Sequence, residues 1–193
     1  MRPEILNNGY GFGAKALFAI VRIVSRRSLP DAAKLTFYRP DFYGSPAKEF
    51  THQAMRGPSA WSVGERELMA AYVSKQNESP FCVGAHTSTA AQALGDEPMV
   101  AGVLSDLDTA PIAEPLRATL RMLGKLTREH TVDADDMREL RSQGVTRAQI
   151  EDALAVCFAF NVTNRLADAF DFSMLTPAGF DSGAAVLLKR GYH

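Results

Sequence analysis

The chain has 193 residues, 46% hydrophobic and 22% charged, which is enough to bury a sizeable core in one domain and lies well outside the composition of disordered chains. Lys+Arg 21 against Asp+Glu 22 gives a formal net charge of -1, so no general electrostatic pull toward nucleic acid or an anionic membrane is expected. Two cysteines, Cys82 and Cys157, are too sparse for a disulfide-stapled secreted scaffold, and a reducing, cytoplasmic setting follows as the expectation.

Few stretches alternate apolar and polar residues, whereas helix starts and stops recur along the chain, so the fold is read as all-α, a single helical domain over residues 1–193. The apolar run at 16–24 is broken by Arg22 and is shorter than the roughly 20 residues of a membrane span. It is read as part of a buried helix over 14–26, with an Arg-rich transit segment over 1–27 as the alternative. Pro30 and Pro40 bracket a short helix at 31–38, and Ser45 before Pro46 announces another that Gly57 closes. Ser62 with Glu65 makes a capping box for a helix to Gln76. Asn77, Glu78, Ser79 and Pro80 then form a turn, with Ser79 as the cap of a helix over 80–94 that Gly95 stops. After Pro111 and Pro115, a helix over 116–127 lines up Leu116, Leu120, Leu123 and Leu126, and a shorter one follows at 134–141. Thr146 with Gln149 caps a long apolar helix through Phe170, and residues 182–190 add a last helical segment.

Chemistry concentrates between Glu67 and His86. Cys82 and His86 stand at i and i+4 of one helix and so share a face. Counted from Ser79, Cys82 is in the first turn, where free N–H groups and the helix dipole favour a thiolate, so a lowered thiol pKa is expected. His86 is placed to take the thiol proton, and Glu67 on the preceding helix to orient or recharge the imidazole. Each residue also has a structural reading: Cys82 as a small buried hydrophobe, His86 as a satisfied core histidine, Glu67 as a solvated neighbour of Arg66. Cys157, in an apolar stretch, reads as inert packing. His52, His130 and His193 lack the spacing of a metal site, and none is expected. Asn161, Asn164, Arg165 and Asp168 place polar groups on an apolar helix and call for partners in a structural or subunit-contact network, or at the rim of the pocket.

The stretch from Glu67 to His86 resembles the core motif of the alkylhydroperoxidase D and carboxymuconolactone decarboxylase superfamily: a glutamate, eleven residues, then Cys-x-x-Cys-x-x-x-His. The core spans about 61–95, and a second helical half at about 111–170, with Phe160 to Asp168 within it, resembles the peroxidase-related branch. Ser79 occupies the position of the first cysteine. In two-cysteine members the second cysteine attacks the peroxide and the first resolves the sulfenic acid as a disulfide. The resemblance therefore implies a one-cysteine oxidoreductase acting on a peroxide or similar small electrophile, with Cys82 as nucleophile, His86 and Glu67 as relay, and an external thiol as reductant. It further implies Phe81 and Tyr72 packed near Cys82 to limit solvent, no cofactor, and a homo-oligomer, dimer to hexamer. The alternatives are acid–base or decarboxylase chemistry on a small organic acid through His86 and Glu67, and a non-catalytic member of the family.

Overall fold

The structure, a computed structural model, describes residues 4–26, 28–38 and 40–192. Among these residues it is all-helical, without a strand. The chain opens with α1 (Ile5–Asn8), α2 (Phe12–Ser25) and α3 (Asp31–Leu35), and a π-helical turn, Pro40–Gly44, runs directly into α4 (Ser45–Arg56). A helical hairpin follows, α5 (Val63–Gln76) and α6 (Pro80–Leu94), then α7 (Glu97–Ser105), α8 (Glu114–Glu129) and α9 (Ala134–Ser142). The long α10 (Arg147–Ala169) and then α11 (Pro177–Arg190) complete the fold.

Helix α5 is the axis of the molecule. Ten of its residues, from Gly64 to Ser74 apart from Glu65, are buried, the pattern of a helix covered on all sides rather than on one face. Its start is fixed by the capping box of Ser62 and Glu65, and it turns back at Asn77 and Glu78, whose φ of 55° carries the chain through the left-handed region. The return helix α6 comes close enough that a Cβ on Gly64 would lie 2.6 Å from the Leu94 side chain. The hairpin is therefore antiparallel, and Gly95 ends it in the left-handed conformation at φ 69°. Helix α8 approaches α5 through Gly124, which faces Tyr72, and α10 crosses both α5 and α4. Its first turn is tied to the start of α5 by Trp61 Nε1, which donates to Gln149 O at 2.9 Å.

Two apolar clusters result. The larger surrounds α5 and contains Met55, Trp61, Met69, Tyr72, Leu120, Leu123, Cys157 and Phe160. The smaller contains Leu6, Leu35, Phe81, Cys82, Ala167 and Phe172. Helix α11 folds back over α6 and sets Phe180 against Phe81 and the bare backbone of Gly84.

Several expectations need correction. Helix α7 has no counterpart among the helices expected from the sequence: Asp96 accepts from Met99 N and Pro98 occupies the first turn, so this proline starts a helix. Helix α11 begins at Pro177 under a Thr176 cap, ahead of residue 182. Ser45 is no cap, because the π-helical turn already feeds α4 and leaves no free N-terminus to satisfy. Helix α2 is not buried: Phe12, Ile23 and Val24 are 89%, 75% and 79% exposed. Of its aromatic residues, Phe18 meets Tyr10 and Phe37 edge to face, while the face around Ile20 and Ile23 points outward. No described helix is long and apolar enough to cross a membrane.

The docking of α11 can be tested through glycine. A Cβ on Gly84 would lie 2.7 Å from two Phe180 ring carbons, and a packed ring yields poorly. Gly84→Ala is expected to destabilise the protein by about 1–3 kcal/mol and to lower its Tm by about 2–10 °C. Gly102, inside α7 with open space around its Cβ position, should respond with the opposite sign, since Ala is the better helix former. Differential scanning calorimetry of the two variants gives the comparison.

Candidate active site

Glu67 lies in the middle of α5 with no exposed surface, and a buried carboxylate persists as an anion only when its oxygens are satisfied by donors. Three side chains supply them. Oε2 lies 2.7 Å from His86 Nδ1 on α6. Oε1 accepts from Arg56 Nη2 at 2.6 Å, on the last turn of α4, and from the Tyr192 hydroxyl at 2.9 Å, just beyond α11. Burial alone would raise the pKa of Glu67, but the hydrogen bond and charge of His86, followed by those of Arg56, outweigh it and hold the carboxyl below its usual range. With Nδ1 committed to the carboxylate, Nε2 is the nitrogen of His86 left for other chemistry. The imidazole meets the edge of Phe160 at 4.3 Å between centroids and runs nearly parallel to the Tyr192 ring at 6.5 Å.

Cys82 stands one turn before His86 and is only 2% exposed. No hydrogen bond joins these two side chains among the described residues. The thiol is paired with Ser79, and its pKa is pushed up to about 12, chiefly by burial; the Ser79 bond lowers it somewhat and the negative charge of Asp168 adds to the rise. The expected depression of this pKa is therefore overturned. A helix-start effect is worth about 0.3–1 kcal/mol, too little to offset burying a thiolate within the Leu6, Leu35, Phe81 and Phe172 cluster.

Ser79 also departs from its expected role. It stands at the N-cap position of α6, but its hydroxyl makes no capping bond and donates instead to Asp168 Oδ1 at 2.9 Å. That bond is one rung of a ladder between the α5–α6 corner and α10. Ser74 Oγ donates to Asn164 Oδ1 at 3.0 Å, and Asn77 Nδ2 to Asn161 Oδ1 at 3.2 Å. Arg165 closes the end by donating to Asn161 O at 2.7 Å. The polar residues of α10 thus form a structural network that reaches the thiol through Ser79 and Asp168.

Phe81 packs beside Cys82 and meets Phe172 and Phe180 edge to face at 5.3 and 5.8 Å. Tyr72 does not join it: the ring belongs to the larger cluster, against Gly124, with Arg128 bonded to its hydroxyl. Tyr72 points to the opposite side of α5 because it is five positions beyond Glu67 on a helix of 3.6 residues per turn. Cys157 is buried and, like Cys82, a free thiol; its sulfur contacts Asn161 Nδ2 at 3.2 Å and Thr127 Oγ1 at 3.7 Å. His52 accepts from the Tyr192 backbone, His130 ends α8, and His193 lies outside the described residues. No group of three potential metal ligands occurs among the described residues. Sequence reasoning missed Arg56 and Tyr192. In the sequence Arg56 is an ordinary basic residue at a helix end, and Tyr192 carries no signal beyond the glycine before it.

No protein-family model matches the sequence, and no curated protein matches it. Solved structures do. The fold is similar to that of an uncharacterized peroxidase-related protein from a Silicibacter species, with a TM-score of 0.73 and 25% identity over 87% of each chain. It is similar to an alkylhydroperoxidase AhpD core, an uncharacterized peroxidase-related protein from Ralstonia eutropha, with a TM-score of 0.72 and 21% identity over 91% of each chain. The debrominase Bmp8 shares the fold at a TM-score of 0.65 and 14% identity, over 90% of this chain and 92% of that one. The architecture is the alkylhydroperoxidase D core, and the resemblance drawn from Glu67, Cys82 and His86 holds at the level of the fold.

The charge of Glu67 has a measurable signature. Its folded-state pKa is depressed, so its stabilisation is complete above the ordinary carboxylate value near 4.5 and drains away as the pH falls through the folded value. Glu67→Gln, which removes the buried charge opposite Arg56, should cost about 3–5 kcal/mol at neutral pH. The gap to the parent protein should narrow toward about pH 3, as urea denaturation at both pH values would show.

Proposed function

We propose that this alkylhydroperoxidase D-fold chain is a one-cysteine thiol oxidoreductase that reduces a peroxide or a related small electrophile at Cys82. The observation that carries the reading is the buried Glu67–His86 pair, closed at 2.7 Å, one helical turn from the thiol. The peroxidase-related proteins that share the fold support it.

A pKa of about 12 leaves only about one thiol in 10⁵ ionised at neutral pH, so Cys82 rests as the protonated form. Activation then belongs to the encounter with substrate. His86 Nε2 takes the thiol proton as sulfur attacks the nearer peroxide oxygen. The O–O bond breaks, Cys82 becomes a sulfenic acid, and the departing alkoxide receives the proton back from His86 and leaves as the alcohol. Glu67, anionic and pinned, stabilises the imidazolium between the two transfers. Ser79 cannot resolve a sulfenic acid, and Cys157 belongs to the other cluster. Recycling accordingly falls to two external thiols: the first releases water and forms a mixed disulfide, and the second frees Cys82 and leaves as part of the external disulfide. No organic cofactor or metal enters this scheme, and the setting that suits it is a reducing cytoplasm.

One observation favours a second reading, acid–base chemistry on a small organic acid: the Glu67–His86 pair is complete without the thiol. Treatment with hydrogen peroxide and dimedone, followed by mass spectrometry, separates the two. The thiol reading expects a Cys82 adduct, a loss of about 10²–10⁴ in its rate of formation in His86→Gln, and no turnover in Cys82→Ser. Activity toward an organic acid that survives in Cys82→Ser would sink it. Alkylation of Cys82 by iodoacetamide should be slow at neutral pH and accelerate about tenfold per pH unit on the alkaline side.

The outward face of α2 supports a homo-oligomer, dimer to hexamer, in which a second copy covers Ile20, Ile23 and Val24. Exposed apolar faces of this kind mark association surfaces. Ile20→Glu with Ile23→Glu should shift the sedimentation coefficient to that of a smaller species while the helical circular dichroism persists.

A further inference from the structure

Tyr192 lies two positions past the end of α11 and 125 positions from Glu67. A few residues trailing from a helix are ordinarily poorly ordered unless tied down, and these are fastened at two points, with a third just inside the helix. Arg56 Nη2 donates to Leu187 O at 3.3 Å, the Tyr192 backbone N–H donates to His52 Nδ1 at 3.3 Å, and the Tyr192 hydroxyl donates to Glu67 Oε1 at 2.9 Å. His52 and Arg56 stand at i and i+4 of α4 and grip the segment from one face. Gly191 makes the bend between α11 and the tyrosine. Its φ is 69°, and a Cβ there would lie 2.6 Å from the His52 ring, so no other residue fits. The Arg56 guanidinium lies 5.1 Å over the Tyr192 ring, and the His86 ring runs within 13° of parallel to it.

We propose that Tyr192 is a positioning residue of the site: docking of the segment behind α11 brings its phenol to Glu67 Oε1 and so locks the carboxylate that orients His86. The inference rests on reading His86 as the base. With Arg56 and Tyr192 both on Oε1, the carboxylate cannot turn, and Oε2 stays directed at His86 Nδ1. Without the phenol, Arg56 alone holds Oε1 and water enters the vacated space. Burial of the hydroxyl, followed by the charge of Glu67, raises the phenol pKa well above 10, so Tyr192 remains a donor throughout the working pH range. The dyad is thus assembled by a residue remote from it in the chain.

The test is the Nδ1–H proton resonance of His86 in histidine-labelled protein, assigned by its loss in His86→Gln. In Tyr192→Phe the ring and its packing remain, while the carboxylate loses one donor. With the lock gone, the carboxylate should turn from His86 Nδ1, so the resonance should move upfield and its exchange should quicken. Deletion of the residues after Gly191 should speed exchange of this proton about tenfold, the factor one hydrogen bond to a charged group is worth. Added 4-methylphenol should restore protection, and toluene, which lacks the hydroxyl, should not. An unchanged resonance and exchange rate in Tyr192→Phe overturns the proposal, and that isosteric variant decides the matter if the deletion fails to fold. A resonance that responds as expected in a protein whose Cys82 resists peroxide upholds Tyr192 and refutes the peroxidase reading alone.

Discussion

A carboxylate in the middle of a fully covered helix forces decisions on the rest of the chain. Glu67 has no water to turn to, so donors must come to it, and they come from α4, from α6 and from the segment behind α11. These parts are distant in sequence and meet at this anion. The antiparallel return of α6, the course of α4 and the folding back of α11 each bring one donor to this anion. Removing any donor would leave a buried charge short of a partner, which costs more than the bond itself contributes.

The site divides into two polar systems with different tasks. Around Glu67 the groups are charged and closely bonded, and they set the direction of His86. Around Cys82 the polar neighbours are Ser79 and Asp168 in an otherwise apolar cluster, and burial in that cluster, with a smaller push from the charge of Asp168, raises the thiol pKa against the opposing Ser79 bond. A reactive thiolate left standing would meet any oxidant. In the proposed thiol chemistry, a protonated thiol one turn from His86 would react only when something small enough to enter brings the two systems together.

Much of this was legible from local rules. The capping boxes of Ser62 and Thr146, the Pro80 start and the Gly95 stop placed the hairpin and α10, because such signals act over a few residues and do not depend on the fold. The register of Glu67, Cys82 and His86 followed from them. What stayed hidden depends on distance through space. Arg56 and Tyr192 carry no local mark of the carboxylate they serve. Helix position is visible in a sequence and burial is not, and for the Cys82 thiol burial is the larger effect. Ser79 looked like a cap because the residue and its neighbour Pro80 fit one; its hydroxyl went to Asp168, a partner 89 positions away. Helix α2 shows the same limit: an apolar face in a sequence does not say whether its own chain buries it, and here Ile20, Ile23 and Val24 stay exposed.

The Ser79–Asp168 bond bears on how readily this site could be given a second cysteine. On motif alone, one substitution at Ser79 would complete the pair and make the chain self-resolving. In the folded protein that position already belongs to the ladder joining the α5–α6 corner to α10. A thiol there would be a poor donor to the carboxylate, and it would sit beside a negative charge that opposes its own ionisation. Acquiring a resolving cysteine is therefore at least a two-residue problem, with Asp168 as the other residue. Within the proposed one-cysteine chemistry, position 79 is held by a hydrogen bond to a helix that supplies none of the proposed reacting groups.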